Sequence, residues 1–196
     1  MSFERLSQIL DLVDQANAKD PHNVAVNGHE KPAELIYGQR MSSALDKFCT
    51  AASDHLRIAV RAQHIERWSS PRKNYPDGRA GYLKWRSELM AFHARRTSEL
   101  MQQAEYEQAD IDRVAVLITK KGLKRDPEVQ ILEDVICLVF LEHYAADFIA
   151  KHDDAKVLDI LKKTARKMSA NGVSAAGNLA LPDRLAGLLN KALTES

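Results

Sequence analysis

Apolar residues along this chain recur at intervals of three and four, the spacing that turns one side of an α-helix into a buried stripe. Leu6, Ile9, Leu10, Val13 and Ala16 form the first such stripe, which predicts a helix from Phe3 to about Ala18 that ends before Asp20-Pro21. The polar stretch from His22 to Lys31 reads as a loop. A second helix starts near Pro32 and carries Leu35, Ile36, Met41, Leu45 and Phe48. Ser53-Asp54 caps a third, running from Leu56 to Trp68 and including His64. After a turn-rich loop at 69–78, a long fourth helix spans Arg79 to Gln103, and a fifth spans Asp110 to Lys121 and stops at Gly122.

Asp126 then reads as an N-cap with Pro127 at the first helical position. The helix that follows is expected to reach about His152, roughly 39 Å at 1.5 Å per residue. Its middle, Ile131 to Leu141, is apolar nearly all round, the mark of a central helix buried by its neighbours. Two further helices, Ala155 to Ser169 and Asp183 to Leu193, close the chain. No strand, internal repeat or linker is evident, so the expectation is an all-α, single-domain multi-helix bundle over residues 1–196 with a long buried central helix.

Composition narrows the class. With 28 basic against 27 acidic residues, no overall charge argues for wholesale binding to nucleic acid or to an acidic membrane. Cys49 and Cys137 sit in helical apolar patterns, suiting two buried reduced thiols in a reducing cytoplasm. The start, Met1-Ser2-Phe3-Glu4-Arg5, lacks the basic and apolar runs of a secretion signal, and no segment has the roughly 18 consecutive apolar residues of a membrane span. The protein is expected to be neither secreted nor membrane-spanning. Its oligomeric state is not legible.

Charge is uneven locally. From Arg61 to Arg96 there are nine basic residues against Glu66, Asp77 and Glu88. Arginines there alternate with Trp68, Tyr75, Tyr82 and Trp85, a mixture that can fork onto a phosphate while rings stack on a base. A solvated basic face with core aromatics is the plainer reading. Glu133 and Asp134 lie in the most apolar helix, and an ionised carboxylate buried there must meet a cation, a metal or several donors. Histidines drawn together with these acids would make a metal site, and an arginine–carboxylate pair is the structural alternative. His64 and His93 straddle the boundary between apolar and basic faces.

Four runs, Glu34 to Met41, Arg61 to Trp68, Gly81 to Arg86 and Leu132 to Leu141, resemble the family catalogued as domain of unknown function 4202, over nearly the whole chain. The order of helices, with histidines on successive helices and an acid on a later buried one, is similar to the HD-domain phosphohydrolases. That likeness implies an HD-domain-like fold in which a histidine, a His-Asp pair and a distant aspartate hold a divalent metal. His64 would stand at the His-Asp pair and Asp134 at the distant aspartate. The pair is altered here, since Ile65 follows His64 and Glu66 is the acid that could substitute. Tyr37, Gln39 and Arg40 occupy the stretch where the first histidine would lie.

Three functions follow as expectations. In the first, His64, His93 and Asp134 bind one divalent metal (Mn, Co, Mg, Fe or Zn) that activates water, with Glu66 and Glu133 assisting as catalytic acids. Tyr37, Arg40, Arg67, Arg72, Lys73, Arg79 and Arg86 would hold a nucleotide or another small phosphate ester. In the second, a catalytically silent relative binds a phosphorylated small molecule through the same cationic segment, with no metal or other cofactor. In the third, the basic loop docks RNA or an acidic partner. Lys167-Met168-Ser169 also resembles the start of the signature loop of class I aminoacyl-tRNA synthetases, but the alternating strands and helices of that fold are missing.

Overall fold

The computed structural model describes residues 3–194, so Met1 and Ser2, which enter the reading of the start, lie outside the described residues, as do 195 and 196. Among the described residues, ten α-helices and one short hairpin follow in order, with single 3-10 turns at Arg67–Ser69 and Arg72–Asn74 between the third and fourth helices: α1 (Phe3–Asn17), β1 (Asn23–Val26), β2 (His29–Pro32), α2 (Ala33–Phe48), α3 (Asp54–Arg61), α4 (Gly78–Gln103), α5 (Gln108–Ile118), α6 (Pro127–His143), α7 (Ala145–Ile149), α8 (Asp154–Ala165), α9 (Ala170–Gly177) and α10 (Asp183–Thr194). The architecture is a helical bundle.

Burial sorts the helices into two apolar clusters that share α6. Ile9 and Val13 of α1, Met41 and Leu45 of α2, Leu56 and Val60 of α3, Met101 of α4 and Leu117 of α5 form the first. Ile149 of α7, Val157 and Leu161 of α8, Ala176 of α9 and Leu185 and Leu189 of α10 form the second. The central helix contributes Leu132, Val135 and Val139 to one cluster and Leu138 and Leu141 to the other. That is why its sequence is apolar nearly all round. Its third face, carrying Glu133, Ile136, Cys137 and Phe140 at helical spacing, runs along the seam between the two clusters and opens on a cavity.

Local signals explain most boundaries. Asp126 caps α6, accepting from the N–H groups of Glu128 and Val129 at 3.0 and 3.3 Å, with Pro127 in the first turn. Ser53 caps α3 through the Leu56 N–H at 3.1 Å. The close approach of α2 to the end of α3 requires Gly38, where a Cβ would stand 3.0 Å from the carbonyl oxygen of Arg61.

Four expectations are corrected. The stretch 22–31 holds an antiparallel hairpin whose turn is Asn27-Gly28, both at positive φ (51° and 79°), the chemistry of a two-residue hairpin turn. The third helix ends at Arg61, and His64 lies in the tight coil beyond it. The central helix stops at His143, about 26 Å long, because Tyr144 leaves helical geometry at φ −128°, and the chain resumes as the short α7. An unforeseen helix, α9, follows Ser169, whose side chain caps it through the Gly172 N–H at 3.0 Å.

Candidate functional site

The cavity, about 730 Å³, lies between α2 and α4 on one side and α6, α7 and α8 on the other. Four cations line it: Arg67 from the coil after α3, Arg86 from α4, Lys120 just past α5 and Lys167 just past α8. Two carboxylates oppose them, Glu34 in the first turn of α2 and Glu133 on α6. Aromatic rings fill much of the remaining wall, among them Tyr37, Trp85, Phe140 and Tyr144.

Glu133 is 3% exposed and is held by lysines rather than by arginines of the basic segment. Lys120 Nζ stands 2.6 Å from its Oε2 and Lys167 Nζ 3.7 Å from its Oε1. Burial alone would raise the Glu133 pKa; Lys120, Lys167 and Arg86 outweigh it and hold the carboxylate below its ordinary value. Glu133 therefore stays ionised and anchors the two lysines at the cavity wall. Cys137, one turn further on, has its thiol pushed up to about 12, first by burial and then by Glu133, and is inert as a nucleophile.

His64 stacks on Tyr37, rings 3.9 Å apart and 11° from parallel. Its Nε2 lies 2.9 Å from Arg67 Nη1, which can only donate, and its Nδ1 lies 3.4 Å from Glu34 Oε2. That arrangement places the ring proton on Nδ1, towards Glu34. Burial lowers the His64 pKa far below its usual value, and Arg67, Lys120 and Arg86 lower it further. Glu34 moves the opposite way, up to about 7, because burial and the nearby Asp20 outweigh Arg67 and His22. Asp20 itself accepts from the Glu34 N–H at 3.0 Å and so tethers the start of α2.

The coil that presents His64 and Arg67 is fixed from several sides. Glu66 takes a left-handed conformation at φ 49°, its N–H donating to Asn17 at 2.9 Å while its carboxylate pairs with Arg96 at 2.9 Å. The Ile65 carbonyl accepts from His93 Nδ1 at 2.8 Å. Arg67 lies over the Trp85 ring at 5.3 Å, and Trp85 Nε1 donates to the Ser70 carbonyl at 2.9 Å.

Of the expected site residues, the structure brings Tyr37, His64, Arg67, Arg86, His93 and Glu133 to this one cavity. The others lie elsewhere. Glu66 is held by Arg96 outside the cavity wall. Arg40 donates to Tyr144 Oη at 3.2 Å, behind the wall. Arg72 closes its own loop on the carbonyls of Tyr75 and Pro76, both at 2.8 Å. Lys73 and Arg79 are exposed on that loop and at the start of α4. Arg61 and Arg96, also counted in the basic segment, are committed to Asp14 and Glu66. Lys120, Lys167, Glu34 and Gln63 are members that the sequence reading did not name as site residues.

Asp134 points away from the cavity. It is 1% exposed and accepts from the Ser169 N–H at 2.8 Å, the Ser169 hydroxyl at 2.6 Å and the Gln130 amide at 3.1 Å. It anchors the start of α9, where the absent Cβ of Gly172 leaves it room. The set His64, His93 and Asp134 consequently does not converge. Among the described residues, no three His, Cys, Asp or Glu side chains come together in a way that could hold a metal. The one His64 nitrogen free to ligate faces a guanidinium, which opposes a second positive charge there. The described residues of this cavity do not fit a divalent metal.

The chain matches the family described as domain of unknown function (DUF4202) across residues 7–189. No curated protein matches the chain, and no solved structure does.

Proposed function

The chain belongs to the DUF4202 family, a label without an activity, and on that footing we propose from its geometry that it binds a small phosphorylated molecule in the cavity between α2, α4 and α6–α8. One observation carries the reading: Arg67, Arg86, Lys120 and Lys167 share a cavity of about 730 Å³ with two carboxylates, one of which, Glu34, loses its charge as the pH falls through about 7. A cavity with surplus positive charge and apolar, aromatic walls favours a compact anion with an organic body. Arg67 and Arg86, each against a ring, would fork onto phosphate oxygens, and Lys120 and Lys167 would add point charge.

This reading follows the catalytically silent alternative. The likeness to HD-domain phosphohydrolases is taken as one of helix order, since Asp134 serves α9. RNA docking has less support, because Arg61, Arg72 and Arg96 are tied within the fold and the basic segment does not form one open strip. Both cysteines are free, which suits a reducing cytoplasm, and among the described residues no helix is long and apolar enough to cross a membrane.

Isothermal titration of the full chain against methyl phosphate, ribose 5-phosphate, AMP and their unphosphorylated counterparts tests it. Binding confined to the phosphorylated members, weakened by Lys120→Ala, is expected. Equal affinity for the unphosphorylated members, or hydrolysis that depends on added Mn²⁺, would overturn it.

A further inference from the structure

Two acceptors in the cavity wall are left without partners by the fold. His93 is 1% exposed, and its Nδ1 sits 2.8 Å from the Ile65 carbonyl oxygen. A carbonyl can only accept, so Nδ1 carries the proton and the neutral ring presents a bare lone pair at Nε2. Burial and the neighbouring His64 hold the His93 pKa down to about 3, so the ring stays neutral at ordinary pH. That Nε2 is buried and has no hydrogen-bond partner among the described residues. Gln63, 4% exposed, leaves its Oε1 in the same condition. Both side chains line the cavity that holds the four cations.

Buried acceptors are nearly always paired, and leaving two unpaired in one cavity wall is costly unless something brought into the cavity satisfies them. The chemistry of the visitor is constrained. It must donate, because both groups accept. An ammonium or a metal-bound water is disfavoured as the donor, because Arg67, Arg86, Lys120 and Lys167 outnumber Glu34 and Glu133 and repel a further cation, which leaves a neutral O–H or N–H. The visitor must still be small enough for its anionic end to reach those cations.

We infer that His93 Nε2 and Gln63 Oε1 receive hydrogen bonds from hydroxyl groups of the bound molecule, which makes the ligand the phosphate ester of a sugar, alone or as part of a nucleotide. This rests on the phosphate-binding reading of the cavity and adds its second half: cations fix the phosphate, and the two acceptors read the hydroxylated body. A site built to accept from a hydroxyl discriminates strongly against an analogue that lacks it, since the acceptor then stays buried and unpaired. His93 and Gln63 are specificity-determining residues in this account.

Calorimetric titration of the full-length chain with methyl phosphate, 2-deoxyribose 5-phosphate, ribose 5-phosphate and AMP decides the matter. Ribose 5-phosphate is expected to bind at least about tenfold more tightly than methyl phosphate, with the deoxy sugar between them. His93→Phe and Gln63→Leu should each erase most of that margin, read as the ratio of the two affinities, because His93→Phe also removes the hydrogen bond to the Ile65 carbonyl that holds the coil carrying Arg67. AMP binding more tightly than ribose 5-phosphate identifies a nucleotide; equal or weaker binding identifies a free sugar phosphate. Equal affinity of the unaltered protein for methyl phosphate and ribose 5-phosphate overturns the inference and leaves phosphate binding standing. Absence of binding to any phosphate overturns both. Uptake of Zn²⁺ or Mn²⁺ alone, lost in His93→Phe, overturns it too, by making Nε2 a metal ligand. The ligand series on the unaltered protein decides even if a variant fails to fold, and thermal melts of the variants report that.

Discussion

Asp134 accepts hydrogen bonds from both the backbone N–H and the hydroxyl of Ser169, at 2.8 and 2.6 Å, and so ties the central helix to the start of α9. A buried acid one residue away from Glu133 thereby serves packing, while its neighbour serves the cavity. The division follows from helix geometry: adjacent residues on α6 point about 100° apart. Replacing Asp134 by Ala strands the part-buried N–H and hydroxyl of Ser169, while the Gln130 amide keeps its bond to the Lys167 carbonyl. The expected loss is about 3 kcal/mol of stability, since hydrogen bonds to a charged group contribute about 1.5–3 kcal/mol each. Urea denaturation checks the loss, and titration with ribose 5-phosphate should show affinity within about threefold of the unaltered protein. An unchanged midpoint with lost binding would return Asp134 to the site.

Glu133 behaves in the opposite way. Its carboxylate lies 2.6 Å from Lys120 Nζ at the cavity wall and subtracts from the positive charge that a phosphate would meet. Glu133→Gln keeps the shape and removes the charge. Phosphate affinity should rise several-fold by calorimetry, while stability should fall by about 1–3 kcal/mol as Lys120 and Lys167 lose their buried partner. Weaker phosphate binding would mean that Glu133 itself holds the ligand.

Glu34 makes the fold less stable as the pH rises. Its carboxyl titrates at about 7 in the fold against 4.5 ordinarily, so the folded protein holds a proton that the unfolded chain releases. The stability this gives is fully present below pH 4.5 and is lost as the pH rises through about 7, amounting to about 3 kcal/mol at 1.36 kcal/mol per unit. Glu34→Gln removes the ionisable group. Urea midpoints of the two proteins should coincide near pH 4.5, with the variant more stable at pH 8. Phosphate binding to the unaltered protein should also tighten as pH falls from 8 to 6, because the protonated Glu34 no longer repels the anion, and the variant should lose the part of that change owed to Glu34.

Much of this was legible beforehand because most helices are written twice, in apolar spacing and in caps such as Asp126-Pro127 and Ser53. What was not legible depends on tertiary geometry. Val24, Val26 and the Asn27-Gly28 turn do signal a hairpin, but the alternation is too short to outweigh the surrounding polar residues. Tyr144 breaks the central helix with neither proline nor glycine to announce it. Ala170 to Gly177 sets two glycines and single asparagine, serine and valine residues against three alanines, a mixed helix former, and Ser169 caps it while Asp134 anchors that cap. Within the site, the apolar setting of Glu133 and Asp134 made it readable that at least one of them needs a cation, a metal or several donors. That the cations would be Lys120 and Lys167 was not, since they lie 13 residues before Glu133 and 34 after it, at the ends of helices whose meeting only the fold determines.

The basic segment between Arg61 and Arg96 separates into two groups that a substitution series should resolve. Arg67 and Arg86 face the cavity beside Trp85 and Tyr82, whereas Lys73 and Arg79 stand exposed outside its wall. Solvent and salt screen the second pair over about 8–10 Å, and its effect on an anion inside the cavity should be small. The first pair meets the anion directly, through charge-assisted hydrogen bonds about twice as strong as neutral ones. Arg67→Ala or Arg86→Ala should therefore weaken ribose 5-phosphate binding by about ten- to a hundredfold, and Lys73→Ala with Arg79→Ala by no more than about twofold, both read by calorimetry at 0.15 M salt. Arg67→Ala carries a second signature, because it also removes the donor to His64 Nε2 and a charge that helps keep that ring neutral. The His64 pKa, followed by ring-proton NMR, should rise in Arg67→Ala and stay put in Lys73→Ala with Arg79→Ala. If the exposed pair proved the more damaging to lose, the anion would sit on the loop surface, and a basic docking face would replace the cavity as the site.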